Sequence, residues 1–281
     1  MSRAFGGATV REALDSAVIA IAAAGSDTPR LDAELLLAEA LGVGRTTLFT
    51  DPHREVTGPA VRAFQGAVRR RSVMREPVAY ILGRKGFRHI DLQVDARVLV
   101  PRPETELLVE IGLTLPEGAR VVDVGTGSGA IALALKHERP DLEVVATDVS
   151  AGALQVARSN AAALGLEVEL VEGDLLAGVQ DADAILSNPP YVADGERASL
   201  PAEIVRHEPA GALFAGADGL DVIRRLVPAA AAALTTGGLL AIEIGAGQAG
   251  EVAALLRDAG FAEVHPRADL AGIERVVVGR R

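Results

Sequence analysis

The stretch RVVDVGTGSGAIALAL (residues 120–135) decides the fold of this chain. An apolar run leads into three glycines at alternate positions, and a second apolar run begins directly after them. A strand that passes through a glycine-rich turn into a helix is the opening unit of a doubly wound α/β sheet. Glycines let backbone N–H groups and the helix N-terminus approach a ligand without side-chain interference. The loop formed by Gly125, Thr126, Gly127, Ser128 and Gly129 is therefore predicted to bind a ligand.

The same alternation of strands and helices continues along the chain after this loop. Four more apolar segments read as strands, and helical segments separate most of them: LEVVATD (142–148), VELVEGD (168–174), ADAILSN (182–188) and GLLAIEIG (238–245). A last strand is predicted at RVVVGR (275–280). Nearly continuous apolar strands that alternate with helices indicate a parallel sheet with helices on both faces. We therefore predict a doubly wound α/β domain over residues 102–281.

Residues 1–85 have a different pattern, in which helical segments follow one another without a strand. Apolar residues recur at helical spacing at Val10, Leu14, Val18 and Ile21 in the first segment and at Leu31, Leu35 and Leu36 in the second. An all-α bundle is predicted here. Residues 86–101 are predicted to form a short linking β-hairpin, with strands near Phe87–Val94 and Val98–Val100.

Composition limits the classes of protein and of site. The chain has 281 residues and no cysteine, so disulfides and thiolate chemistry are excluded. No run approaches the roughly 20 apolar residues of a membrane span. Its five histidines are scattered without the spacing of metal ligands. We expect a cytoplasmic protein that binds no metal and no membrane, and we take a monomer as the default.

Charge is distributed unevenly along the chain. Residues 1–85 carry 12 Lys and Arg against 9 Asp and Glu, whereas residues 86–281 carry 16 against 29. An acidic domain repels a phosphate backbone, which disfavours a nucleic-acid substrate. The run Arg69–Arg71 is predicted to be a solvated helix face, and we hypothesise that it helps to hold an acidic protein partner.

Two acids follow predicted strands at the edge where the glycine-rich loop lies. Asp148 ends its strand, where it can accept hydrogen bonds from both hydroxyls of a ribose or cap the helix that follows. Asp174 ends the next strand, at a position that would face an adenine, although it can also be an ordinary loop acid. Because these groups share one edge of the sheet, a nucleoside cofactor is predicted.

The segment SNPPY (187–191) follows the fourth predicted strand at this same edge. Pro189 and Pro190 have no backbone N–H and fix their own φ, so the segment is stiff and points carbonyl oxygens into the crevice. The Asn188 carbonyl oxygen can accept one N–H of a planar NH2 group while the Tyr191 ring packs on its plane. Such acceptors aim a poorly nucleophilic nitrogen at an electrophile, which fits methyl transfer from S-adenosylmethionine.

These motifs together resemble the class I, Rossmann-like methyltransferases that modify planar amino groups. Further segments are similar to the HemK/PrmC family of protein-(glutamine-N5) methyltransferases: VLVPRPETE (98–106), HEPAGALFAGADGLDVIRRL (207–226), AIEIG (241–245) and the N-terminal bundle. The resemblance covers essentially the whole chain. It implies that the acceptor is the glutamine of the GGQ tripeptide in class I peptide chain release factors, and that S-adenosyl-L-homocysteine is the product.

The resemblance also implies roles for single residues. It assigns the glycine-rich loop, Asp148 and the pair Asp174–Leu175 to the cofactor. It assigns Asn188, Pro189, Pro190 and Tyr191 to the glutamine amide, with Asn188 also beside the cofactor. Arg102 and Glu106 lie where the family closes over the cofactor. Glu243 can be an inward carboxylate near the cofactor or a structural hydrogen-bond acceptor.

Three other functions stay open from the residues alone. An N6-adenine DNA or RNA methyltransferase also presents a planar NH2 group, but it needs a basic surface to hold the strand. An NAD-dependent oxidoreductase fits the glycine pattern without explaining SNPPY. A non-catalytic binding module would need no intact amide site.

Overall fold

The computed structural model describes residues 7–176 and 178–281, so the first six residues of the predicted bundle lie outside the described residues. The chain divides into two compact units. The helical unit comprises the described residues up to Gly83 together with Pro201–His207. The sheet unit comprises the described residues of Arg84–Leu200 and Glu208–Arg281. The helical unit therefore includes a short segment that lies far along the chain from the rest of it.

Helices and strands are numbered in chain order. The helices are α1 (Val10–Ala23), α2 (Pro29–Leu41), α3 (Arg45–Thr50), α4 (Pro59–Ser72), α5 (Val78–Leu82), α6 (Glu106–Gly112), α7 (Ala130–Glu138), α8 (Ala151–Leu164), α9 (Ala202–His207), α10 (Asp221–Ala233) and α11 (Ala249–Asp258). The strands are β1 (Arg84–Phe87), β2 (Ile90–Gln93), β3 (Arg120–Val124), β4 (Glu143–Asp148), β5 (Glu169–Glu172), β6 (Ala182–Ser187), β7 (Leu234–Glu243), β8 (Ala262–Ala268) and β9 (Glu274–Arg280). None of the helices in the described part of the chain is long and apolar enough to cross a membrane.

The first helix forms as its sequence predicts. Thr9 and Glu12 form a capping box, in which each side chain accepts a hydrogen bond from the other residue's backbone N–H. Val10, Leu14 and Ile21 are buried in the core of the helical unit. The helical spacing of these residues therefore identified the buried face of α1 correctly.

The predicted apolar face of α2 is wrong at Leu31, which is 38% exposed. The buried leucines are Leu36 and Leu37, and two acids, Asp32 and Glu34, are also buried. Both acids pair with arginines, which is what a buried carboxylate requires. A pattern that counts only apolar residues cannot identify a helix face that also buries acids.

The prediction of a solvated arginine face is wrong for Arg71. Its side chain is 8% exposed, and its guanidinium contacts Asp32 at 2.7 Å and Glu203 of α9 at 3.1 Å. Arg75 also contacts Glu203, at 2.7 Å. These ion pairs attach α9 to the other helices of the helical unit. Arg69 remains exposed.

The sheet unit is built on a seven-stranded sheet in the order β5-β4-β3-β6-β7-β9-β8. Successive residues of β3 face opposite sides: Val121 packs in a core with Leu133 of α7, and Val122 packs in a second core with Ile223 of α10. Since helices cover both faces, the strands are apolar at nearly every position. The doubly wound α/β prediction is confirmed.

The prediction of a wholly parallel sheet needs one correction. The strands β5, β4, β3, β6 and β7 are parallel, but β9 runs antiparallel to β7, and β8 runs antiparallel to β9. β8 is absent from the prediction because it lies at the sheet edge, contains Pro266 and has mostly exposed side chains. An edge strand needs no apolar run and tolerates proline.

The predicted hairpin is present with different bounds. β1 pairs antiparallel with β2, from Arg84 opposite Gln93 to Phe87 opposite Ile90. The segment Val98–Val100 is not a strand, although Val98 and Val100 are both buried. Their apolar character reflects burial in the sheet unit and gives no information on strand pairing.

Candidate active site

Three groups of predicted site residues follow the carboxyl ends of central strands and lie at the same level of the sheet. Val124, the last residue of β3, is in register with Thr147 of β4 and Ser187 of β6. The glycine loop (Gly125–Gly129), Asp148 and Asn188 come directly after these positions. Strand register therefore places at one edge residues that are up to 63 positions apart in the sequence.

The glycine loop has backbone conformations that favour glycine. Gly125, Gly127 and Gly129 have φ values of 74°, 57° and 85°. The N–H of Gly125 donates to the Thr147 carbonyl oxygen at 2.9 Å, which fixes the start of the loop. A Cβ atom added at Gly125 or Gly127 would meet no atom within 4 Å. Open space therefore lies above the loop where a ligand would approach.

The side chains of Thr126 and Ser128 are buried, so these residues can offer a ligand only their backbone groups. The Thr126 hydroxyl donates to Asp123 at 2.6 Å, and the Ala132 N–H donates to the same carboxylate oxygen at 3.2 Å. Burial raises the pKa of Asp123 to about 7, although these two hydrogen bonds act to lower it. Asp123, absent from the sequence prediction, thus supports the loop and the first turn of α7 from below.

Asn160 of α8 holds the glycine loop from the side. Its amide nitrogen donates to the carbonyl oxygens of Ser128 at 2.9 Å and Gln93 at 3.0 Å, and its oxygen accepts from the Gln93 N–H at 2.7 Å. One buried amide therefore connects the loop, β2 and α8 within the sheet unit. Such a satisfied amide restricts how far the loop can move.

Asp148 lies beside the glycine loop, as predicted. Its carboxylate accepts from the N–H of Gly127 at 2.9 Å and from the N–H of Ser150 at 2.8 Å. Ser150 caps α8 by accepting from the Ala153 N–H. The Asp148 carboxylate thus stands at the end of β4 with its orientation fixed, and a carboxylate has further lone pairs for hydroxyl donors.

The pair Asp174–Leu175 follows β5, two residues beyond its end at Glu172. The Thr147 hydroxyl donates to the Leu175 carbonyl oxygen at 2.6 Å, and Leu175 has a positive φ of 53°. The structure therefore brings Leu175 to the sheet edge. The exposed Asp174 carboxylate forms an ion pair with Arg225 of α10.

The amide bracket (Asn188–Tyr191) follows β6 at the same edge. The Asn188 side chain is half-buried, and its nitrogen Nδ2 donates to the Thr105 hydroxyl oxygen at 3.0 Å. The Tyr191 hydroxyl lies 3.4 Å from an oxygen of Glu243. Burial and the Glu243 charge raise the pKa of Tyr191 to about 12, so this phenol stays protonated.

Two residues that the sequence did not single out also position the bracket. Gln248 donates through Nε2 to the Tyr191 carbonyl oxygen at 3.0 Å and accepts from the Gly245 N–H at 2.9 Å. Gly219 has a φ of 79°, and a Cβ there would lie 2.2 Å from that same Tyr191 oxygen. Glycine is therefore required where this turn approaches the bracket.

Arg102 and Glu106 have protein partners in this structure. Arg102 pairs with the buried Glu208 at 2.6 Å, and Glu208 also accepts from the Val100 N–H at 3.3 Å. Glu106 accepts from the Arg88 N–H at 3.2 Å. Both residues therefore hold the segment around PRPETE in place within the sheet unit.

The site fits a nucleoside ligand. Open space lies above the glycine loop, a fixed carboxylate stands at the end of β4, and Leu175 supplies an apolar side chain at the end of β5. Among residues 7–176 and 178–281, no group of three or more His, Asp or Glu side chains is placed to hold a metal ion.

Both parts of the chain match known protein families. Residues 12–83 match the family model "PrmC N-terminal domain", and residues 103–213 match "Methyltransferase small domain". The release factor glutamine methyltransferase of Deinococcus radiodurans is 46% identical over 97% of this chain and 98% of its own length. The protein of the same name from Koribacter versatilis is 43% identical over 97% and 99%.

Solved structures share the fold at lower identity. A methyltransferase from Pyrococcus furiosus superposes with a TM-score of 0.53 and 20% identity, over 68% of this chain and 88% of that one. The Thermus thermophilus 16S rRNA N2 G1207 methyltransferase, solved with AdoMet and guanosine, has a TM-score of 0.52 and 19% identity, over 70% and 49%. These likenesses concern the fold alone. The near-full-length identity to the curated relatives shows that the chain belongs to the release factor glutamine methyltransferase family.

Proposed function

We propose that this chain transfers the methyl group of S-adenosylmethionine to the side-chain amide nitrogen N5 of the GGQ glutamine in class I peptide chain release factors. The observation that carries the proposal is the position of the amide bracket, which follows β6 at the same edge as the glycine loop and Asp148. The names and the coverage of the relatives support the substrate.

The glycine loop, Asp148 and Leu175 are the residues that would hold the cofactor. The backbone N–H groups of the loop and the start of α7 favour an electron-rich ligand, and Asp148 can accept from ribose hydroxyls. When bound, S-adenosylmethionine supplies a methyl group on a positively charged sulfur. Asp174 has a smaller role in this proposal because Arg225 already neutralises its carboxylate.

The amide bracket orients the acceptor nitrogen. Asn188 Oδ1 and a main-chain carbonyl oxygen of the bracket each accept one N–H of the glutamine amide, while the Tyr191 ring packs on the amide plane. Held in this way, the acceptor nitrogen would face the methyl group that bound S-adenosylmethionine would supply, and the proton that the nitrogen loses on methylation would pass to water. The products are N5-methylglutamine and S-adenosyl-L-homocysteine.

We further propose that the protein acts as a cytoplasmic monomer on a protein substrate and not on nucleic acid. The acidity of residues 86–281 supports this proposal, because a base-flipping enzyme must hold a polyanionic strand. The helical unit is then the candidate for recognising the rest of the release factor.

A methyl-transfer assay with radiolabelled S-adenosylmethionine tests the proposal. Wild-type release factor, its GGQ→GGA variant and a DNA and RNA mixture are offered separately to the full chain. We expect label on the wild-type release factor alone. Label on nucleic acid would instead establish the N6-adenine alternative, and equal label on the GGA variant would exclude the glutamine as acceptor.

A further inference from the structure

Gln248 closes a turn beside the amide bracket. It ends the segment GAGQ (245–248), which lies between β7 and α11. Its backbone N–H donates to the Gly245 carbonyl oxygen at 3.2 Å, and its side-chain oxygen Oε1 accepts from the Gly245 N–H at 2.9 Å. Its own carbonyl oxygen accepts from the Val252 N–H at 3.0 Å, which joins it to the first turn of α11. The Gln248 side chain therefore extends from a backbone that is held on both sides.

The orientation of the Gln248 amide follows from its backbone partners. Its nitrogen Nε2 donates to the Tyr191 carbonyl oxygen at 3.0 Å and to the Asp218 carbonyl oxygen at 3.4 Å. A backbone N–H group can only donate, and a backbone carbonyl oxygen can only accept. Oε1 must therefore face Gly245, and Nε2 must face the two carbonyl oxygens. A rotation of the amide by 180° would lose all three hydrogen bonds.

Gln248 thereby fixes Tyr191 at two points. It holds the Tyr191 carbonyl oxygen directly, and it holds the backbone of Gly245. A Cβ atom at Gly245 would lie 3.2 Å from Tyr191 Cδ2, so the tyrosine ring packs directly against this glycine. Gly219 approaches the same Tyr191 oxygen closely, as described above. Since these residues all lie in the sheet unit, the contacts belong to one compact body.

We propose that Gln248 is a positioning residue that fixes the Tyr191 ring against the substrate amide and thereby sets the rate of methyl transfer. The inference rests on the proposed function, in which that ring packs on the plane of the glutamine amide. The rate of such a step depends on how closely the reacting atoms are held, and a misplacement of about 1 Å can cost on the order of 10²-fold. Because Gln248 acts through Tyr191, its loss should lower kcat and leave cofactor binding intact.

The experiment compares two full-length variants that differ in hydrogen-bonding capacity. Gln248→Met keeps the length of the side chain and removes both the donor and the acceptor. Gln248→Glu keeps an acceptor for the Gly245 N–H, but at pH 8 its carboxylate offers the Tyr191 carbonyl oxygen no donor. We expect both variants to lose about tenfold or more in kcat, with unchanged KM for release factor and unchanged affinity for S-adenosylmethionine. Glu251→Met, at an exposed position in the first turn of α11, is the matched control.

A second measurement observes Tyr191 without depending on activity. The chain has two tyrosines, and they are Tyr80 in the helical unit and Tyr191 in the bracket. NMR of protein labelled with ring-13C tyrosine therefore gives one set of signals from each unit, and Tyr80→Phe assigns them. We expect Gln248→Met to shift or broaden the Tyr191 signals and to leave the Tyr80 signals unchanged.

The two measurements separate the inference from the proposed function. If the wild type does not methylate release factor, the proposed function fails, and the Tyr191 signals still decide whether Gln248 holds the bracket. If the wild type is active, a wild-type kcat in either variant overturns the inference. A loss of kcat with unchanged Tyr191 signals also overturns it, because the loss would not act through the ring. Should Gln248→Met not fold, Gln248→Glu is judged by the same two measurements.

Discussion

At the scale of single residues, the proposed function gives one role to the residues that bind the cofactor and another to the residue that orients the substrate amide. In the proposed function, Asp148 and the glycine loop bind the cofactor, whereas Asn188 accepts a hydrogen bond from the substrate amide through one oxygen. A residue whose contact matters mainly in the transition state changes kcat, and one that binds the ground state changes affinity. The two classes of residue therefore predict different kinetic defects.

Replacing Asn188 by Ala should reduce kcat on the order of 10²-fold or more, because one of the oriented acceptors of the amide is lost. The affinity for S-adenosylmethionine should change little. Single-turnover methylation and calorimetric titration measure the two quantities. Ser199→Ala, at an exposed position, is the matched control. Near-normal turnover of N188A would remove Asn188 from the mechanism.

Asp148 and Asp174 should differ in their importance for cofactor binding. Losing a hydrogen bond to a charged group costs about 1.5–3 kcal/mol, so Asp148→Ala should weaken S-adenosylmethionine binding by roughly 10- to 100-fold. Asp174→Ala should have a smaller effect because its carboxylate is paired with Arg225. Titration calorimetry on both variants checks the ranking, and an equal loss in the two would contradict it.

At the scale of elements, two central strands carry a buried acid near the site. Asp123 lies in β3 under the glycine loop, and Glu243 ends β7 behind the amide bracket. Each has a carboxylate oxygen without a hydrogen-bond partner in the described part of the chain. Burial raises the pKa of each to about 7, so both groups favour the protonated form in the folded state.

These two acids predict a pH dependence of stability. A raised pKa means that the folded state binds the proton more tightly, so the stabilisation is complete below the ordinary pKa of 4.5 for Glu243 and disappears as the pH rises through about 7. The hydroxyls of Thr105 and Tyr191 and the charge of Arg275 act to lower the pKa of Glu243 against the effect of burial, whereas the charge of Glu104 acts to raise it.

Glu243→Gln cannot titrate and should flatten this profile. We expect its Tm to fall less between pH 5 and pH 8 than the Tm of the wild type, as measured by thermal unfolding monitored by circular dichroism. The remaining slope then includes the contribution of Asp123. A variant whose Tm falls as steeply as that of the wild type would show that Glu243 does not take up a proton in the folded state.

At the scale of the whole molecule, the chain leaves the sheet unit after the amide bracket and returns to it at Glu208. The intervening segment, Pro201–His207, is held in the helical unit by Glu203, which contacts both Arg71 and Arg75. The Arg71 side chain is therefore a structural group and is not available to a partner. Of the other two consecutive arginines, Arg70 pairs with Glu76 at 2.5 Å, and Arg69 is exposed.

Arg69 is therefore the residue at which we test the hypothesis that the arginine run holds an acidic protein partner. Arg69→Glu should raise the KM for whole release factor and leave the Tm unchanged, because its side chain is exposed. Arg71→Glu should lower the free energy of unfolding by roughly 3–5 kcal/mol, since it leaves the buried Asp32 without its ion-pair partner. An unchanged KM for Arg69→Glu would contradict the hypothesis for this face of α4.

The sequence alone determined the α/β fold and the order of the motifs along the sheet edge. Apolar runs, glycines and prolines act locally, and parallel strands place all their carboxyl ends at one edge. Only the tertiary structure showed that Leu31 is exposed, that Arg71 is buried and that β8 exists. It alone brought Thr105 to Asn188 and Glu243 to Tyr191. These features depend on contacts between polar groups that lie far apart in the sequence. A local sequence pattern does not indicate which of these groups will pair.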